Sequence, residues 1–268
     1  MSSSIIARDL GLQVPHFLQT EKLKASLVSM LVTAAFTTSR RELRTLLQGI
    51  SFEAHEGDRI AIMGRNGAGK TTLLRVLTGA FQPTAGQLEI KGSRQALLNL
   101  GLGFNQEATV RENVYLRAMA MGMRGAQISE QMKAILDFAE LGDVLNHRLL
   151  TLSSGQRMRL GFSISTAVQH DIMLLDEWLG AGDAAFVEKA RKRMTDRVDG
   201  SKIVMLASHN FPLLRRVCTK GIVLEGGQLV FHGGVEDAIK AYKKIYQADP
   251  QHVPNDPPRR PRRLTNRK

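Results

Sequence analysis

Gly64-Arg65-Asn66-Gly67-Ala68-Gly69-Lys70-Thr71-Thr72 is the stretch whose reading decides the fold. Through Gly64, Gly69, Lys70 and Thr71 it fits Gly-x4-Gly-Lys-[Ser/Thr], the phosphate-binding loop. The glycines remove Cβ atoms that would block backbone amides from turning toward a polyphosphate. Lys70 supplies a compact positive charge for the β- and γ-phosphates, and the Thr71 hydroxyl can ligate Mg²⁺. Such a loop works only between a strand and a helix. Before it, Arg59-Ile60-Ala61-Ile62-Met63 is the short apolar run of a buried parallel strand. After it, residues 71–78 are leucine-rich, and Gly79 stands where a helix C′ glycine belongs. A helix starting at the lysine adds its positive dipole end to the site. The loop 64–72 therefore predicts a nucleoside triphosphate site.

Outward from the loop, apolar runs alternate with helical patterns. Residues 50–54 alternate weakly, and Glu56-Gly57-Asp58 turns into the strand at 59–63. A turn at Pro83-Thr84-Ala85-Gly86 precedes a predicted strand at 87–91 and a glycine-interrupted run at 96–104. Residues 111–150 read as helical, with Ile128, Met132, Ile135, Leu136 and Ala139 on one apolar face. Strand-like runs at 172–175 and 203–207 flank a charged helical segment at 184–198. A hairpin at 222–231 and a closing helix at 235–246 complete the pattern. This alternation predicts a largely parallel sheet flanked by helices, with a helical insertion near 111–165. Earlier in the chain, residues 23–36 place Leu23, Leu27, Met30, Leu31 and Ala34 at helical spacing. That helix suits either the core or a surface that packs on a membrane partner.

Two strand ends carry candidate chemistry. Ile172-Met173-Leu174-Leu175 runs into Asp176-Glu177, and in open α/β sheets ligands sit at the carboxyl ends of strands. Asp176 can hold Mg²⁺, directly or through water, and Glu177 can polarise an attacking water. Ser208-His209-Asn210 follows the run at 203–207 in the same way, placing His209 to contact a γ-phosphate. A fourth piece is Leu152-Ser153-Ser154-Gly155-Gln156, before Arg157-Met158-Arg159-Leu160-Gly161. A serine and a glycine ahead of a helix offer hydroxyl, amides and a positive helix end to an anion.

Phosphate loop, Leu-Ser-x-Gly-Gln, Asp-Glu and histidine, in that order, make the chain resemble the ATP-binding subunit of ABC transporters over roughly residues 45–245. The resemblance implies an α/β fold of the P-loop NTPase, ABC ATPase type: a mostly parallel sheet, an N-terminal antiparallel subdomain and a helical signature subdomain at about 105–165. It divides the chain into an N-terminal segment (1–44), an ATP-binding domain (45–247) and a basic tail (248–268). It also implies a homodimer with two ATP molecules sandwiched between the chains. In each site Gly64, Arg65, Asn66, Gly67, Ala68, Gly69, Lys70, Thr71 and Thr72 would cradle the phosphates. Ser153, Ser154, Gly155 and Gln156 of the other copy would cap them, with Asp183 at the dimer seam. Thr71, Asp176 and Gln106 would serve Mg²⁺, and Glu177, His209 and Lys70 the chemistry.

A narrower resemblance lies in Ala96-Leu-Leu-Asn-Leu-Gly-Leu-Gly-Phe-Asn-Gln-Glu-Ala-Thr-Val-Arg-Glu-Asn-Val-Tyr115, in the Ser-Ser-Gly signature and in Gly180-Ala-Gly-Asp-Ala-Ala-Phe186. These look like the subgroup that exports O-antigen, teichoic acid and capsular polysaccharide. That implies an integral membrane permease as partner, a lipid-linked or otherwise anchored glycan as cargo, and a peripheral position on the cytoplasmic face of a bacterial inner membrane. The C-terminal carbohydrate-binding domain of some members is not expected here. Other readings are a transporter subunit with another substrate, a soluble ATPase of the same fold, and a nucleotide-dependent scaffold. The intact Asp176-Glu177 pair and His209 argue against the scaffold.

Three positions depart from the family pattern. The segment carrying the coupling glutamine is compressed to Phe104-Asn105-Gln106-Glu107, with Gln106 the candidate and Asn105 and Glu107 its rivals. No aromatic residue stands near Arg44-Thr45 to stack on adenine, so an arginine plane at Arg44 is the substitute expected. Trp178 follows the catalytic glutamate where a proline is common.

Composition sets the outer bounds. The chain has 268 residues, 43% of them hydrophobic, enough to bury a sizeable core. Its one cysteine, Cys218, cannot form an internal disulfide, as expected of a reducing compartment. No secretory leader is recognisable at the start, and no apolar stretch reaches the ~18 residues of a membrane span. Of the formal net charge of +12, the Pro- and Arg-rich segment 251–268 supplies five. Such a tail is expected to be disordered: simply solvated, or attracted to anionic phospholipid. The rest of the chain shows no stacking positions or recognition module, so nucleic acid is not an expected partner.

Overall fold

The computed structural model describes residues 2–17, 41–97, 103–177 and 184–247. The expected helix at 23–36, part of the run at 96–104, Trp178, Asp183 and the basic tail lie outside the described residues. In chain order the elements are β1 (Ser4–Phe17), β2 (Arg41–His55), β3 (Arg59–Met63), α1 (Lys70–Thr78), β4 (Ala85–Lys91) and β5 (Arg94–Leu97). Next come α2 (Val110–Ala120), α3 (Gly125–Ala139), α4 (Ser154–Ser165), β6 (Ile172–Asp176), α5 (Ala184–Gly200) and β7 (Ile203–Ala207). The last are α6 (Phe211–Val217), β8 (Lys220–Glu225), β9 (Gln228–Gly234) and α7 (Val235–Gln247).

The larger sheet has the order β5-β6-β7-β3-β8-β9, parallel except for β9, which returns antiparallel to β8. β3 lies in its interior, between β7 and β8. Both faces of this sheet are covered, which is why β3 and β7 read as unbroken apolar runs. Ile60, Ile62, Leu174 and Met205 face one core with the buried leucines of α1. Ala61, Met63, Met173, Leu175, Val204 and Leu206 face another, with residues of α5, α6 and α7. A third cluster, from Val110 to Ile164, belongs to the helical region alone and contains every residue of the apolar face read at 128–139.

The smaller sheet has the order β2-β1-β4, all antiparallel; residues 4–17 form its middle strand, and residue 44 lies within β2. Ile5, Ala7, Leu10 and Leu12 enter the same core as α1. The strand is hard to read because its alternation breaks: the register shifts between Ala7 and Leu10, where Asp9 takes a left-handed φ of 50°. A bulge of this kind moves the apolar set by one position.

Candidate functional site

The loop 64–69 leaves β3 and enters α1 at Lys70, with Gly69 as the N-cap at φ 105°. That left-handed conformation favours glycine. Gly64 is required for a different reason: a Cβ there would lie 2.5 Å from the Leu224 carbonyl oxygen and 2.9 Å from the Ala68 Cβ. Lys70 folds back over its own loop, its ammonium donating to the carbonyls of Gly64 (2.7 Å) and Arg65 (3.1 Å). The same nitrogen lies 3.3 Å from Nε2 of His209. Burial lowers the Lys70 pKa, and the nearby carboxylates of Asp176 and Glu177 oppose that shift.

Two adjacent strands, β6 and β7, deliver the remaining groups. Asp176 ends β6, and its Oδ2 accepts a hydrogen bond from Thr71 Oγ1 at 2.5 Å. Glu177 follows at once, its backbone N–H donating to the Ala207 carbonyl at the end of β7 (2.8 Å). His209 lies two residues beyond β7. Lys70, Thr71, Asp176, Glu177 and His209 therefore meet at the carboxyl ends of β3, β6 and β7, where an open α/β sheet places its ligand. The Thr71 hydroxyl and Asp176 carboxylate suit a hard cation such as Mg²⁺, which takes one or two protein oxygens and completes its shell with phosphate and water. A cleft of about 870 Å³ opens beside them, lined by Glu177, Ser208, His209 and Arg216 among others.

The other expected residues sit elsewhere. Ser153 is the N-cap of α4, its Oγ accepting from the Gln156 N–H while Gln156 Oε1 accepts from the Ser153 N–H. This reciprocal box holds the helix start, where Ser153 and Ser154 are exposed and Gly155 and Gln156 partly so. Gln106 Oε1 accepts from Arg157 Nη1 at 2.9 Å, so the oxygen expected on Mg²⁺ is bonded to the signature helix instead. Asn105 is tied to Asn113, and the Glu107 carboxylate lies 3.5 Å from Arg148. Arg44 lies exposed on β2, three residues before Leu47, whose Cδ2 would lie 3.0 Å from a Cβ on Gly69.

Bracing of the loop from outside was not legible in the sequence. The Gly227 N–H donates to the Ala68 carbonyl, and the Gly227 carbonyl accepts from the Gln48 N–H. Only the hairpin read at 222–231 hinted that a tight turn lies there.

Comparison with known proteins agrees with this geometry. A family model described as ABC transporter matches residues 47–180. The chain belongs to the ABC transporter family. It is an ABC ATPase subunit, a protein that binds ATP and hydrolyses it. It is 36% identical over 228 residues to the O-antigen export system ATP-binding protein RfbE of Yersinia enterocolitica, covering 84% of this chain and 95% of the relative. RfbB of Myxococcus xanthus, named for the same system, is 36% identical over 217 residues; the match covers 81% of this chain and 50% of that relative. The teichoic acids export ATP-binding protein TagH of Staphylococcus haemolyticus is 34% identical, covering 74% and 75% of the two chains. A solved dimeric ATP-binding cassette in a post-hydrolysis state, bound to ADP and Pi, shares the ABC ATPase fold. Its TM-score is 0.60 at 20% identity, covering 86% of this chain and 98% of that one. No helix among the described residues is long and apolar enough to cross a membrane.

Proposed function

We propose that this ABC ATPase drives a membrane permease that exports a lipid-linked or otherwise anchored glycan, working as a homodimer that closes around two ATP molecules. The observation that carries the reading is the convergence of Lys70, Thr71–Asp176, Glu177 and His209 at three strand ends. Lys70 leaves the Gly64 and Arg65 carbonyls to meet phosphate, whose negative charge opposes the lowering of the Lys70 pKa by burial. Thr71, Asp176 and Gln106 would hold Mg²⁺, and the ion would neutralise charge on the phosphate oxygens. Glu177 accepts the proton of the attacking water, and His209 keeps the γ-phosphate end in register. The cap at Ser153, Ser154, Gly155 and Gln156 serves the nucleotide on the second copy, since among the described residues the Ser153 and Gln156 side chains bond each other's backbone. Asp183 takes the seam between the copies. Residues 45–247 act as the ATP-binding domain together with β1, and the basic charge of segment 248–268 suits anionic lipid at the cytoplasmic face. The export systems named for the relatives support the glycan as cargo.

Glu177→Gln tests the dimer. It should bind ATP, hydrolyse it about 10²-fold or more slowly, and elute as an ATP-dependent dimer in size-exclusion chromatography. A monomer at saturating ATP would sink the sandwich. For the cargo, ATPase activity of the subunit reconstituted with its permease should rise on adding a lipid-linked glycan and stay flat with lipid alone.

A further inference from the structure

The phosphate loop cannot hold itself. Gly64, Gly67 and Gly69 give it little side-chain packing, and ordering glycine backbone costs more entropy than ordering any other residue. Its supports come from distant parts of the chain, and one has no assigned role. Tyr246, in the last turn of α7, donates its hydroxyl to the Leu224 carbonyl at 3.2 Å. That carbonyl is the atom against which Gly64 packs. The Arg65 guanidinium carbon lies 5.7 Å from the centroid of the Tyr246 ring. Burial, then the Glu225 carboxylate, raises the Tyr246 pKa, so the hydroxyl keeps its proton and remains a donor.

The ring is also anchored on its far side. Tyr246 packs on Tyr242 with centroids 4.8 Å apart, and Tyr242 meets Phe211 edge-on at 5.5 Å. Phe211 opens α6, two residues after His209. One row of rings thus runs from the second residue of the phosphate loop to the segment that carries the histidine.

We propose that Tyr246 is a positioning residue for ATP binding: a clamp on α7 that fixes the Gly64–Arg65 backbone in its phosphate-ready form and ties it to the His209 segment. Preorganisation of this kind raises affinity by removing an ordering cost from the binding step. The inference rests on residues 64–72 being the nucleotide loop.

The test is Tyr246→Phe in the full chain, which keeps the ring and removes only the hydroxyl. ATP should bind about fivefold more weakly, the worth of one net hydrogen bond. Hydrolysis at saturating ATP should stay within about twofold. Hydrogen exchange of the nucleotide-free protein should quicken in peptides covering residues 64–68. Tyr115→Phe removes a hydroxyl bonded to Ser129 in the helical region and should leave ATP affinity unchanged. Unchanged affinity and exchange in Tyr246→Phe would overturn the clamp, as would a lower melting temperature with no change in affinity. Wild-type protein that fails to bind ATP overturns the reading of the loop itself, and the clamp with it.

Discussion

Glu177 carries its carboxylate on a left-handed backbone, φ 66°, one of three positive-φ residues other than glycine among the described residues. An L-residue pays about 1–2 kcal/mol for that conformation. The bond from its N–H to Ala207 holds it there, at the end of a strand buried along its whole length. The strain aims the side chain into the space beyond β6 and β7, next to Lys70 and His209, where strained residues often serve function. Glu177→Gly should therefore separate stability from activity. It should raise stability by about 1 kcal/mol, since glycine adopts this φ freely, and abolish hydrolysis. Thermal melting and a phosphate-release assay read the two effects. A variant that melts lower than wild type would show that the carboxylate, and not the backbone, dominates the stability at this position.

Asn113 shows how an element outside the motif controls a residue within it. α2 starts at Thr109 with a reciprocal cap to Glu112, and one turn later Asn113 is fully buried. Its carboxamide accepts from the Asn105 N–H and donates to the carbonyls of Asn105, Ala108 and Thr109. This side chain ties the segment that presents Gln106 to α2, together with Arg117, whose guanidinium lies 4.8 Å from the Phe104 ring centroid. Asn113→Ala would remove the side-chain partner of the Asn105 N–H and carbonyl and empty a fully buried site, at about 0.5–1.5 kcal/mol for each hydrogen bond lost, while the Ala108 and Thr109 carbonyls keep their bonds from the Leu149 and Asn113 N–H. Urea unfolding should show a loss of about 2 kcal/mol or more; a loss below 0.5 kcal/mol would mean that water replaces the amide. Nothing local in the sequence marks Asn113 apart from other polar helix residues. β3, β6 and β7 were legible because strands covered on both faces leave continuous apolar runs, and α3 because one face keeps helical rhythm. Asp176 and Glu177 were legible as candidates because they end such a run, and Lys70 because it closes the glycine-rich loop that follows one. Leu224, Gly227 and Tyr246 were not, because they reach the loop through tertiary contact far along the chain.

At the scale of the molecule, three cores divide the work. The first lies between the two sheets and holds α1, so the helix that starts at Lys70 is clasped on both sides by strands. The second fixes α5, α6 and α7 on the opposite face of the larger sheet. The third gives the helical region its own interior, and it joins the rest partly through rings: Phe138, Phe162 and Phe186 lie with centroids 5.7–5.9 Å apart. Glu140 adds a polar tie there, meeting Arg159 of α4 and Lys189 of α5. This arrangement makes β1 indispensable although it precedes every motif. As the middle strand it hydrogen-bonds β2 on one side and β4 on the other, and it lowers Ile5, Leu10 and Leu12 into the core around α1. Burying each of those side chains is worth about 1.5–3 kcal/mol, and together they approach the ~5–15 kcal/mol by which a domain is stable at all. Deleting residues 1–17 would also strip the backbone partners from β2 and β4, exposing two long edges that favour aggregation. A chain beginning at residue 18 should therefore be insoluble, or lack a cooperative thermal transition and ATP binding, even though the loop, the carboxylates and the histidine are all intact. A soluble truncated chain with the wild-type melting temperature would place β1 outside the folding unit. The phosphate loop would then depend on the larger sheet alone.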